Sequence, residues 1–74
     1  MSEKNRNILE YIICCIGAFA TTYNLLNSKA YLYLKQYGGI DFLFKFYDAE
    51  HLLSIDDAVN DIAVICQRNG GIMA

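Results

Sequence analysis

The chain has 74 residues, a hydrophobic fraction of 55% and a formal net charge of −2. That bounds it to one small domain with more apolar material than the ~45–50% of an average globular sequence. The six basic residues, Lys4, Arg6, Lys29, Lys35, Lys45 and Arg68, are scattered. They make no basic face of the kind that neutralises phosphates, which disfavours nucleic acid as a partner.

The first helical segment is expected from about Lys4 to Tyr23, behind a polar lead over residues 1–6. Ile8, Ile12, Cys15, Phe19 and Tyr23 recur at helical spacing, and Leu9, Ile13, Ile16 and Ala20 make a second stripe beside them. An ordinary surface helix is apolar on one stripe only, and Tyr11 to Ala20 has no polar face. Such a helix is either the centre of a small bundle or partly covered by another chain. Gly17 costs about 1 kcal/mol relative to Ala within a helix, and a close crossing of another backbone is the reason expected for it. The apolar run is about ten residues, against ~20 for a membrane span. Ala18-Phe19-Ala20 resembles a signal-peptide cleavage site, but Glu10 abuts the run and Asn5 and Asn7 dilute the basic start, so neither export nor an anchor is expected. Three cysteines without a secretory leader read as reduced thiols of a cytoplasmic protein.

A second helix follows Asn27 or Ser28, whose short polar side chains suit a first turn. It places Ala30, Leu34 and Tyr37 on one face and ends at Gly38-Gly39, the first glycine serving as a left-handed cap. A third runs from Ile40 or Asp41 to about His51, burying Phe42, Leu43, Phe46 and Tyr47 and leaving Phe44 exposed. A fourth opens at Ser54, where Ser54-Ile55-Asp56-Asp57 approximates a capping box. Its apolar face is Ile55, Val59, Ile62 and Cys66, with Ala58, Ala63 and Ile65 at the edges. Asn69-Gly70-Gly71 stops it, and residues 70–74 are expected to fray.

The string Tyr31-x-Tyr33-Leu34-Lys35-x-Tyr37-Gly38-Gly39-x-Asp41-Phe42-Leu43, followed by Tyr47-Asp48, His51, Ser54 and Asp56-Asp57-Ala58-Val59-x-Asp61-Ile62, resembles a family of uncharacterised small bacterial helical proteins. The resemblance covers about Ile8 to Arg68. It implies a short, helical, cytosolic protein, and because some members are encoded beside predicted ADP-ribosyltransferase-like toxins, it also implies an antitoxin or accessory role. The chain departs from the family pattern at Leu26 and Lys29, where a Ser and a Glu would form a capping box, and at Glu50 and Leu52 around His51.

Residues with chemical potential are few. His51 is the lone histidine and reads as a helix-end residue bonding the last carbonyls, with Asp48 three residues earlier as a possible carboxylate partner. Cys14, Cys15 and Cys66 read as buried structural thiols, since adjacent helical positions point ~100° apart and no C-x-x-C pair exists. Gly38-Gly39 and Gly70-Gly71 lack the context of a phosphate loop. Asp56, Asp57 and Asp61 share a face that suits either solvent or a basic partner. Tyrosine, six times present, suits interfaces, and Tyr31 and Tyr33 lie on different sides of a short helix.

The expected fold is all-α, a single domain of about four helices with the first at its centre. The expected function is non-catalytic protein binding, with no cofactor and no metal. The expected partners are a second copy of the chain, as a homodimer, and a neighbouring-gene protein of a toxin–antitoxin type. Tyr33, Phe44, Asp56, Asp57 and Asp61 are the candidate partner-binding residues. The alternative is a DNA-binding regulator in which the second and third helices imitate a helix-turn-helix.

Overall fold

The computed structural model describes residues 2–72. The helices are α1 Glu3–Thr22, α2 Asn27–Gln36, α3 Gly39–Lys45, α4 Tyr47–Glu50 and α5 Ile55–Arg68, with no strand among the described residues. The all-α class is as expected. α1 packs against α2, α3 and α5 and so forms the central element. Its first turn starts earlier than the polar lead suggests, because the Ser2 hydroxyl accepts the Asn5 N–H at 3.2 Å and caps the helix.

The core is drawn from every long helix: Ile12, Cys15 and Phe19 of α1, Ala30 and Leu34 of α2, Leu43 of α3, and Val59, Ile62 and Cys66 of α5. Each large side chain buried this way contributes about 1.5–3 kcal/mol of transfer free energy. The α5 face is wider than its main stripe, since Ala58 and Ala63 are buried as well.

Three residues with positive φ, Asn24 (φ 55), Gly38 (φ 84) and Gly70 (φ 92), each follow a helix end. After α1, Leu25 N–H reaches back to Ala20 at 2.8 Å and Asn24 N–H to Thr21, the paired pattern of a Schellman motif. Asparagine tolerates the left-handed region there. α2 leaves at a bend of 109° from α1. Its expected cap is not used: Asn27 is already helical, and the capping position is Leu26, which offers no side-chain bond. Ser54, by contrast, caps α5 by accepting the Asp57 N–H at 3.1 Å.

The segment expected as one helix up to His51 is two. Phe46 adopts φ −109 and ψ 22, its N–H closing α3 onto the Phe42 carbonyl, and the chain restarts at Tyr47. The apolar periodicity continues across this break, so spacing alone cannot reveal it. The turn carries Phe46 outward, and it is exposed rather than packed inward with the half-buried Phe42 and the buried Leu43.

The C-terminal segment does not fray from residue 70. A second Schellman pattern, Gly70 N–H to Gln67 at 3.1 Å and Gly71 N–H to Cys66 at 2.8 Å, folds it back over α2. There Gly71 is buried, and its carbonyl accepts the Tyr33 hydroxyl at 2.6 Å. Asn69 Nδ2 donates to the Tyr37 carbonyl at 2.8 Å. The two Gly-Gly pairs therefore meet at one corner of the molecule. The remainder of the expected tail, residues 73 and 74, lies outside the described residues.

Candidate interaction surface

The two stripes of α1 have different fates. The first is covered as expected. The second divides along its length: Ala20 is buried, whereas Ile13 is 66% exposed and Leu9 is also open. One turn further on, apart from its chain neighbours and the adjoining helix backbone, no atom of the described residues lies within 4 Å of where a Gly17 Cβ would sit. The close crossing expected at Gly17 is thus not made among the described residues. Cys14, expected to be buried, is exposed on the same side of the helix, while Cys15 and Cys66 are buried. No charged residue occurs between Glu10 and Lys29, so this open side presents small and apolar groups at mid-helix and charges only toward its N-terminal end.

The expected partner-binding residues separate into two groups. Phe44 is 47% exposed, and Asp56 and Asp57 lie in the exposed first turn of α5. Tyr33 is not an exposed aromatic. It is sandwiched between Phe19 (ring centroids 5.7 Å apart) and Tyr37 (5.1 Å), and its hydroxyl is engaged by Gly71. Burial raises its pKa above the ordinary tyrosine value. The exposed tyrosine of α2 is Tyr31, with the Lys35 ammonium 5.8 Å from its ring centre. Asp61 is half-buried and so is not fully exposed beside Asp56 and Asp57.

Glu50 is the residue that periodicity misses. At the end of α4 it is 6% exposed, and its Oε1 has no hydrogen-bond partner. Burial first, and then the neighbouring Asp61 carboxyl, raise its pKa from 4.5 to about 7. Tyr11 donates its hydroxyl to the Glu50 carbonyl at 3.0 Å. The pKa of Tyr11 is raised by burial and then by Cys15, Glu50 and Asp61, and burial likewise raises that of Cys15.

His51 stacks on Tyr47 with centroids 4.5 Å apart, and its Nδ1 donates to the Tyr47 carbonyl at 2.7 Å, the helix-end role expected of it. Asp48 does not serve it; that carboxylate lies 3.8 Å from the Lys4 ammonium in an exposed pair. Among the described residues there is no pocket, and no three His, Cys, Asp or Glu side chains are placed to hold a metal ion. No single described helix is long and apolar enough to cross a membrane.

Compared with known proteins, residues 10–69 match a family model described as "Protein of unknown function (DUF3791)". No curated protein and no solved structure matches the chain.

Proposed function

The chain belongs to the DUF3791 family, and we propose from its own surface that it is a non-catalytic protein-interaction module that pairs with a second copy of itself through the open side of α1. The observation that carries this reading is the exposure of Ile13 beside the half-buried Gly17, where the space for a Cβ is open. A β-branched apolar side chain next to a glycine lets a second helix approach closely, and the lack of charge between Glu10 and Lys29 removes the repulsion that would oppose two copies meeting there. A domain this small gains from such pairing, since a single core of its size supplies only about 3–5 kcal/mol.

The resemblance read from the sequence supports a second partner, a neighbouring-gene protein toward which this chain acts as an antitoxin or accessory subunit in the bacterial cytoplasm. Phe44 with Asp56 and Asp57 remains available for that contact. The test is sedimentation equilibrium at micromolar concentration. Wild type should run above the 8.4 kDa monomer, and Ile13→Lys should run as a monomer with unchanged helical circular dichroism. A wild-type monomer at the highest concentration, or an Ile13→Lys variant that associates equally well, overturns the reading.

A further inference from the structure

Asn69-Gly70 is the one place in the chain where an asparagine precedes a glycine, and it forms the turn that folds the C-terminal segment back over α2. An asparagine followed by glycine is chemically labile. The backbone nitrogen of the next residue attacks the side-chain carbonyl carbon, ammonia leaves, and a five-membered succinimide ring closes. Water then opens the ring at either carbonyl and gives aspartate or isoaspartate. Glycine favours the attack because no Cβ blocks the approach and its backbone adopts the angles the ring demands.

The folded conformation withholds this reaction. Ring closure needs the Gly70 nitrogen eclipsed with the Asn69 Cβ about the Cα–C bond. Asn69 has ψ 11, which eclipses that nitrogen with the residue's own amide instead. Cβ is then roughly a third of a turn away, as tetrahedral geometry at Cα dictates. The Gly70 N–H is turned toward the Gln67 carbonyl at 3.1 Å, and the nitrogen that must depart, Nδ2, donates to the Tyr37 carbonyl at 2.8 Å. That amide rests against Gly38, where an added Cβ would meet Nδ2 at 2.9 Å. The segment is held in this state by the same bonds, together with Gly71 N–H to Cys66 at 2.8 Å and the Tyr33 hydroxyl to Gly71 at 2.6 Å. Lifting it from α2 frees Nδ2 and lets ψ of Asn69 rotate.

The product cannot take the same place. A carboxylate at position 69 offers only acceptor oxygens, so it meets the Tyr37 carbonyl as one acceptor against another. It also adds negative charge at the C-terminal end of α5, where the helix dipole disfavours it. Isoaspartate goes further: the main chain then runs through the side-chain methylene, and Gly70 and Gly71 lose their register with Gln67 and Cys66. We propose that Asn69 is a deamidation site gated by the fold, closed to the reaction while the C-terminal segment is clasped to α2, converted when the segment opens, and unable to restore the clasp afterwards. The conversion consumes only water and runs one way. It is independent of whether the chain pairs with itself.

The test follows loss of the Asn69 side-chain amide in purified protein at mildly alkaline pH, by mass spectrometry of peptides with the aspartyl and isoaspartyl forms separated. In native buffer the wild-type reaction should run at least about tenfold slower than in urea that unfolds the chain, the factor expected from breaking two hydrogen bonds of ordinary strength. Tyr33→Phe releases the Gly71 carbonyl without touching Asn69. It should speed the native reaction roughly two- to tenfold, the range for one such bond, and leave the rate in urea unchanged. Asn69→Asp carries the side chain of the product. Its Gly71 amide should lose roughly two- to tenfold of its hydrogen-exchange protection, while the Ile62 amide in the core of α5 keeps most of its own, the mark of a local opening. If that variant does not fold, Asn69→Ala withdraws the same donor without a charge and carries the same comparison. Equal rates in native buffer and in urea, or no product in urea, overturn the gated site. So does a native rate that Tyr33→Phe leaves unchanged, or wild-type protection at Gly71 in the position-69 variant.

Discussion

Gly71→Ala should destabilise the fold by about 2 kcal/mol, although it adds one methyl group near the end of the chain. A Cβ at residue 71 would lie 2.8 Å from the Tyr33 hydroxyl and 2.8 Å from two ring carbons of Tyr37. Those rings are packed on each other and, through Tyr33, on Phe19, so they cannot retreat without disturbing the core. Overpacking of this kind costs about 1–3 kcal/mol. The chain has an escape, which is to peel the segment off α2. That forfeits the 2.6 Å bond from Tyr33 and the 2.8 Å bond from Gly71 N–H to Cys66, at about 0.5–1.5 kcal/mol each, so either route arrives near the same figure. Tyr33→Phe removes only the hydroxyl and should cost about 1 kcal/mol. The double variant should be little worse than Gly71→Ala alone, because the alanine has already broken that bond and neighbouring sites are not additive. Urea denaturation followed by circular dichroism measures all three; with a slope of about 1 kcal/mol/M for a small domain, the Gly71→Ala midpoint should move by roughly 2 M. A midpoint within experimental error of wild type would mean that the segment is not clamped, and strict additivity in the double variant would mean that Tyr33 and Gly71 do not meet.

Ser54→Ala should cost about 1 kcal/mol in the same assay, since it removes the bond to the Asp57 N–H that caps α5; an unchanged midpoint would refute the cap. Global stability should fall as pH rises from about 4.5 to about 7, because Glu50 binds its proton more tightly when folded than when unfolded. At about 1.4 kcal/mol for each pKa unit, the loss approaches ~3 kcal/mol, and it should be absent from Glu50→Gln; urea midpoints across that range that stay level in wild type would contradict it. His51→Gln should cost under ~1 kcal/mol, the scale of an exposed helix-end interaction, and should leave the helical signal intact, as thermal unfolding would show.

What the sequence could say about this protein depended on how far along the chain the physics reaches. Helix periodicity and caps act over three or four residues, and they placed α1, α2 and α5, the buried set from Ile12 to Cys66, the Ser54 cap and the positive φ at Gly38. The same short reach explains the misreadings. Leu26 stands at the α2 cap because the bend after α1 is fixed by the backbone pattern at Asn24, which leaves no place for Asn27 or Ser28 to serve. The break at Phe46 is silent because the apolar spacing carries straight through it. Exposure was harder still, because a stripe on a helix does not say what comes to cover it. Ala20 and Ile13 belong to one stripe, yet among the described residues the first is buried and the second is 66% exposed. Tyr33 and Tyr31 differ by two residues, but Tyr33 is claimed by a glycine 38 positions later. Phe44 and the Asp56–Asp57 turn could be placed at the surface because no long-range contact competes for them. The burial of Glu50 could not be read from the sequence, since charged residues ordinarily face water. Only the tertiary packing around the α4 turn, with the Tyr11 hydroxyl bonded to the Glu50 carbonyl, takes the Glu50 side chain out of water.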